Sequence, residues 1–123
     1  MLVAYASMTG NVERFVYKLD FPLFNILIRK GTTAVYEPFV LITYTTGFGQ
    51  IPEEVERFLE TNHHNLVAVV GSGNRNWGTM FCGGAVKVSE KYNVPLLHKF
   101  ELSGLESDVD IVTEKIEELE RMK

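Results

Sequence analysis

Cysteine is nearly absent: Cys82 is the only one in 123 residues, so no internal disulfide can form and nothing points to an oxidising compartment. Its lack of a Cys-x-x-Cys partner makes it a small core residue rather than a redox centre. A strong charge of one sign is also missing. The net charge is only −4 and the twelve basic residues are scattered, which argues against a nucleic-acid partner. Long apolar runs are lacking too, because the most apolar stretch, Phe39 to Tyr44, is far too short to span a bilayer. Met1 to Ala6 has neither the basic region nor the apolar length of a signal peptide, so the expectation is a cytoplasmic protein with no membrane association.

Several catalytic and metal signatures are absent as well. His63 and His64 are adjacent and point in different directions, and His98 stands alone in a strand, so no metal site is expected. Gly71 to Asn76 begins like a dinucleotide fingerprint but lacks the third glycine and follows a late strand. Ser7 lies in no Gly-x-Ser-x-Gly elbow. A phosphoacceptor module would need an aspartate at the end of the third strand, where this chain has Thr43-Tyr44-Thr45.

What is present is an ordinary globular composition, 46% hydrophobic and 23% charged, at a length that predicts one domain over residues 1–123. Short β-rich runs alternate with segments of helical period. Strands are expected at 2–6, 24–28, 39–45, 66–71 and 95–102. Helices are expected at 12–19, 52–60, somewhere within 79–92, and from about 108 to 121. Pro52 suits a first helical turn, and Ser107 is the expected cap of the last helix. The continuous runs Phe39 to Ile42 and Val67 to Val70 suit central parallel strands covered on both faces. The expected fold is therefore α/β, a doubly wound five-stranded parallel sheet in the order 2-1-3-4-5. Between strands two and three only Arg29 to Pro38 remain, with no helical pattern, so that crossover helix is expected to be reduced or missing. Ten extended residues reach roughly 33–36 Å, enough to return along a strand of about 17–20 Å. An irregular edge segment in place of strand two is the alternative.

Ligands bind at the carboxyl ends of such strands. The loops there read Ser7-Met8-Thr9-Gly10-Asn11, Thr45-Thr46-Gly47-Phe48-Gly49-Gln50 and Ser72-Gly73-Asn74-Arg75-Asn76-Trp77-Gly78, and none holds an acidic residue although the chain has sixteen. The first runs from a strand into a helix, where free N–H groups and the helix dipole favour an anion. Ser7, Thr9 and Asn11 can add donors, and no Walker lysine is present. This suits a phosphate monoester held by neutral groups; a plain helix-capping turn reads equally well on local sequence. Phe48 and Trp77, flanked by glycines, could cover a flat ring, or Trp77 could simply close the start of the next helix.

These residues together resemble the NrdI family, flavodoxin-like partners of class Ib ribonucleotide reductases. The resemblance rests on Ser-x-Thr-Gly-Asn, on Tyr44 to Gly49 with Pro52, on Ser72 to Gly78, and on Val94-Pro95 through His98 to Gly104, and it covers nearly the whole chain. Flavodoxin itself has the 2-1-3-4-5 order, and the missing crossover helix fits this short family. Phe21 to Tyr36 matches no pattern, and Gly83-Gly84 is an odd start for a helix.

The resemblance implies one FMN, with Ser7, Met8, Thr9, Gly10, Asn11 and Val12 holding its phosphate. Thr45, Thr46, Gly47, Phe48 and Gly49, with Ser72, Gly73, Asn74, Asn76, Trp77 and Gly78, would frame the ring. It implies an accessory flavoprotein rather than a stand-alone metabolic enzyme. Recharged by an unidentified reductant, it would turn O2 into superoxide or peroxide for the dimanganese-tyrosyl radical cofactor of the reductase small subunit. A general flavodoxin-type electron carrier is the alternative. With Arg75 the one charged residue of the three loops, an anionic reduced flavin would meet little repulsion, so close one-electron potentials are expected.

Overall fold

The computed structural model of the chain describes residues 1–19, 24–29 and 34–122. Five strands, β1 (Leu2–Tyr5), β2 (Phe24–Leu27), β3 (Phe39–Thr43), β4 (Leu66–Gly73) and β5 (Leu96–Glu101), pair in parallel in the order β2-β1-β3-β4-β5. Among the described residues, four α-helices accompany them: α1 (Asn11–Lys18), α2 (Glu53–Asn62), α3 (Gly83–Tyr92) and α4 (Glu106–Arg121).

Strand alternation explains why the central runs are apolar at every position. Val3, Tyr5, Val40, Ile42, Ala68 and Val70 face one core with residues of α1 and α4, including Phe15, Val16, Val112 and Ile116. Ala4, Phe39, Leu41 and Val69 face a second core with Val55, Phe58 and Leu59 of α2 and Ala85 and Val88 of α3. Phe15 stacks on Phe100 with ring centroids 3.9 Å apart, so α1 is pinned against the far strand β5. Each such buried side chain is worth about 1.5–3 kcal/mol relative to exposure.

Strand two is a paired edge strand, in register Leu2 to Phe24 through Tyr5 to Leu27. Part of the return to β3, together with residues 21–23 of the segment that matched no pattern, lies outside the described residues. The rest, 34–38, is irregular and fastened by side chains rather than by a helix. Buried Asn62 accepts from the Val35 N–H (2.7 Å), and Asn65 donates to the Val35 carbonyl (3.0 Å). These two asparagines satisfy the N–H and the carbonyl of Val35 in this irregular segment.

Four boundaries move for physical reasons. Strand β3 stops at Thr43 because the chain turns into a short hairpin bridged at Thr46 and Gln50. Strand β4 runs on to Gly73 because Ser72 and Gly73 still pair with Phe100 and Glu101. Helix α4 starts at Glu106, so Ser107 is not its cap. Leu105 takes the cap position, and the Asp108 carboxylate reaches back to accept its N–H at 2.8 Å. Pro52 precedes α2 as its cap rather than sitting in the first turn. Among the described residues, no helix is long and apolar enough to cross a membrane.

Candidate functional site

The loop after β1 enters α1 through Gly10, whose φ of +86° is a left-handed conformation that costs a non-glycine residue about 1–2 kcal/mol. Gly10 holds the cap position of α1 and has no side chain with which to cap it, so the positive end of the helix faces the loop. The Ser7 hydroxyl oxygen lies 3.4 Å from the Glu13 N–H, and the Asn11 amide donates to Thr9 Oγ1 at 3.2 Å. The loop itself has no charged residue, but a cation still reaches it. Arg14, one turn into α1, folds back and donates from Nη2 to Asn11 Oδ1 at 2.6 Å. The expectation of neutral donors alone is corrected to that extent; helical periodicity, which places residue 14 over residues 10 and 11, was the available signal.

The loop after β3 is a tight hairpin: Thr46 and Gln50 exchange backbone bonds of 3.0 and 2.7 Å. Phe48 at its tip is 71% exposed. Thr45 Oγ1 accepts from the Gly84 N–H (3.0 Å), tying this hairpin to the start of α3. The paired glycines there have a steric reason. A Cβ on Gly83 would lie 2.7 Å from Gly49 Cα, and one on Gly84 would lie 3.0 Å from the Gln50 carbonyl oxygen. The two loops can touch only with bare backbone at that point.

Beyond β4, Asn74 Oδ1 accepts from the Asn76 N–H (2.9 Å), and the chain continues as 3-10 turns over Arg75–Met80 that break at Gly78. These turns present Trp77, 50% exposed, edge-on to Phe48 with centroids 5.7 Å apart. Glu101, at the end of β5, clamps them by accepting the Arg75 N–H at 3.1 Å, while the Arg75 guanidinium lies over the Phe81 ring at 4.7 Å. A carboxylate therefore does border the loop, contributed by a strand rather than by the loop itself.

The three loops enclose a cleft of about 360 Å³ at the carboxyl edge of the sheet, within the range of cofactor sites. Ser7, Met8, Thr9, Asn11 and Val12 line it from the first loop, Thr45, Thr46 and Gly47 from the second, and Ser72, Gly73, Asn74 and Trp77 from the third. Gly10, Phe48, Gly49, Asn76 and Gly78 lie outside that lining. Gly10 and Gly78 shape their turns, Gly49 packs on Gly83, Phe48 backs Trp77, and Asn76 holds the Asn74 turn.

Four lining residues were not anticipated: Tyr44, Met80, Cys82 and Leu102. The Tyr44 hydroxyl donates to Glu54 at 2.7 Å, and burial together with that carboxylate raises its pKa, so it remains a phenol. Leu102 forms a fourth wall in a left-handed turn (φ +55°), where its carbonyl accepts from the buried Ser72 hydroxyl at 2.6 Å and its N–H donates to the Gly73 carbonyl at 3.0 Å. An unfavoured backbone shape at a cleft wall, held from both sides, is a common mark of a working site. Cys82 is buried as expected, and that burial pushes its thiol up to about 12 despite nearby Lys99 and Arg75.

The histidines hold one correction. His98 is not alone: its Nε2 lies 2.7 Å from Asp108 Oδ1. Burial would raise the Asp108 carboxyl, but the Leu105 N–H, His98 and Arg75 outweigh it and hold it below the usual carboxylate range. No cluster of three or more metal-ligating side chains occurs among the described residues.

The comparisons with known proteins agree with this architecture. The chain resembles a short-chain flavodoxin associated with a bacterial microcompartment, at a TM-score of 0.71 and 22% identity over 98% of this chain and 96% of that one. It also resembles a Fusobacterium nucleatum flavodoxin bound to flavin mononucleotide, at a TM-score of 0.60 and 20% identity over 98% and 96% of the two chains. These likenesses establish the flavodoxin-like fold. Relatives by sequence are closer. Protein NrdI of Bacillus licheniformis is 51% identical over 117 residues, 94% of this chain and 86% of the relative. Protein NrdI of Macrococcus caseolyticus is 44% identical over 119 residues, 97% of this chain and 91% of the relative. The model of the NrdI flavodoxin-like family matches residues 3–114, and the chain belongs to that family.

Proposed function

We propose that the chain holds FMN in this cleft and, with the flavin reduced, delivers superoxide or peroxide made from O2 to the dimanganese small subunit of a class Ib ribonucleotide reductase. One observation carries the reading. A single cleft joins a corner of hydroxyl and amide donors, at the N-terminal end of α1, to apolar walls of Met8, Trp77, Met80 and Leu102. A phosphate suits the first part and a flat aromatic ring the second. The donor chemistry therefore fits a flavin mononucleotide, and family membership supports the same cofactor.

In this reading Ser7, Met8, Thr9, Gly10, Asn11 and Val12 hold the phosphate. Thr45, Thr46 and Gly47 would meet the ring from the second loop and Ser72, Gly73, Asn74 and Trp77 from the third, with Gly49, Asn76, Gly78 and Phe48 supporting those loops from outside the lining. When bound and reduced, the flavin supplies the electrons that convert O2. The protein contributes position and exclusion of water. Glu101 fixes the turns that carry Trp77, and the Gly83–Gly49 contact sets the height of the Thr46–Gln50 hairpin. Apolar side chains left exposed at the mouth, Phe48, Trp77, Met8 and Met80, form a patch of the kind that seats a partner protein.

Two measurements test the proposal. The purified protein should take up one FMN and turn yellow. Its reduced form should then increase oxygen-dependent radical formation in a cognate manganese-loaded small subunit. FMN uptake with no gain in radical yield would leave an electron carrier. No uptake would remove both readings.

A further inference from the structure

We infer that Arg14 sets the selectivity of the cleft for a phosphorylated flavin by fixing the donor direction of the phosphate-side loop. The inference rests on the FMN reading above and adds a residue to it, from the way four side chains and one glycine are arranged around the start of α1.

A guanidinium has only donors, so the oxygen that faces Arg14 Nη2 at 2.6 Å must be the amide oxygen of Asn11. This settles the orientation of the Asn11 amide and turns its Nδ2 toward Thr9, where it donates to Oγ1 at 3.2 Å. An Oγ1 that already accepts has its own proton left to donate. Thr9 and Asn11 both line the cleft. The sequence Arg14 to Asn11 to Thr9 is thus a one-way chain of donors that begins on a cation and points into the cleft. Ser7 is biased the same way, because its oxygen faces the Glu13 N–H. Hydroxyls that would otherwise donate or accept are oriented as donors, which an anion needs and a neutral hydroxyl group does not.

Gly10 makes the arrangement possible. A Cβ at residue 10 would lie 2.8 Å from Arg14 Nη1, so the guanidinium rests against bare backbone there. The positive charge therefore sits beside the loop, on the same side as the positive end of α1. Arg14 acts through Asn11 and Thr9 and is a positioning residue.

The test compares FMN with riboflavin, which has the same ring and no phosphate, on wild type, Arg14→Gln and Arg14→Lys. Dissociation constants are read by quenching of flavin fluorescence at two salt concentrations, with thermal melts to confirm folding. Arg14→Gln should weaken FMN roughly tenfold and leave riboflavin within about twofold, so the FMN-to-riboflavin preference falls roughly tenfold. Arg14→Lys keeps the charge but loses the planar fork, and should lose only part of that preference. The salt dependence of FMN binding should be shallower in Arg14→Gln than in wild type. A preference unchanged in Arg14→Gln overturns the inference, whether both affinities fall together or neither moves. Binding of neither flavin by wild type overturns the cofactor reading itself, and this inference with it.

Discussion

Two corners of the same cleft are built on opposite principles. At the β1–α1 corner the walls are side chains: Asn11, Thr9 and Ser7 carry the donors, and exposed Arg14 orients them. Behind the lining, where the Thr46–Gln50 hairpin meets the start of α3, the support is bare backbone, with Gly83 against Gly49 and Gly84 against the Gln50 carbonyl. A side-chain corner can be retuned by substitution at small cost to stability. A backbone corner cannot, because any added atom collides with groups that have no rotamer to change. The difference separates what recognises a ligand from what holds the recognising loops at a fixed spacing.

The sharpest way to break the comparison is Gly83→Ala. Its Cβ would press on backbone at 2.7 Å, so a loss of about 1–3 kcal/mol in denaturant unfolding is expected, with displacement of the hairpin. A loss below about 0.5 kcal/mol would show that the hairpin is free to move. Trp77→Ala should do the reverse. Half-exposed, Trp77 should matter little to stability, within about 0.5 kcal/mol, yet its loss should weaken flavin binding roughly tenfold. It is also the only tryptophan, so FMN should quench the intrinsic emission of the wild type, and emission unchanged by saturating FMN would place the ring elsewhere.

A third corner, between β5 and α4, adds a pH axis. Folded Asp108 gives up its proton more readily than the unfolded residue, whose pKa is about 3.9. Its contribution is therefore whole above about pH 4 and is lost as pH falls through the lower folded value. Asp108→Asn should cost about 1 kcal/mol at pH 7 and flatten the acid limb of the stability profile below about pH 4. Equal acid limbs in both proteins would refute that role. The smallest effect is expected at Gly47, where a Cβ would find ordinary space at 3.6 Å but the φ of +54° disfavours alanine. Gly47→Ala should cost about 1 kcal/mol and shift the flavin potentials more than the affinity, as read by redox titration. Unchanged potentials would remove the hairpin backbone from redox tuning.

The parts legible in the sequence were those governed by local period and by motif. The apolar runs of β3 and β4 gave the sheet its centre because strands buried on both faces leave no polar alternation. The Ser7-to-Asn11 turn and Trp77 lie at the cleft as their neighbours in sequence suggested. What was not legible depends on residues distant in the chain. Glu101 reaches the Trp77 turns from β5, Leu102 closes the cleft through Ser72, and Asn62 holds Val35 of the return to β3. Gly83 and Gly84 read as poor helix formers only because the hairpin against them, more than thirty residues earlier, is invisible to a local window.

Cys82 has a consequence for durability. It lines a cleft where, in the proposed function, an oxidant is produced at every turnover. Thiols are oxidised as thiolates, and burial pushes the Cys82 thiol up to about 12, so it stays protonated at pH 7. The residue is also only 1% exposed, with its sulfur directed toward the Phe100 carbonyl, away from attack. The thioethers of Met8 and Met80, open to solvent on the same walls, have no such shelter. Ageing of this protein in use should therefore be written first on its methionines, as sulfoxide at the mouth of the cleft, while its single thiol stays reduced.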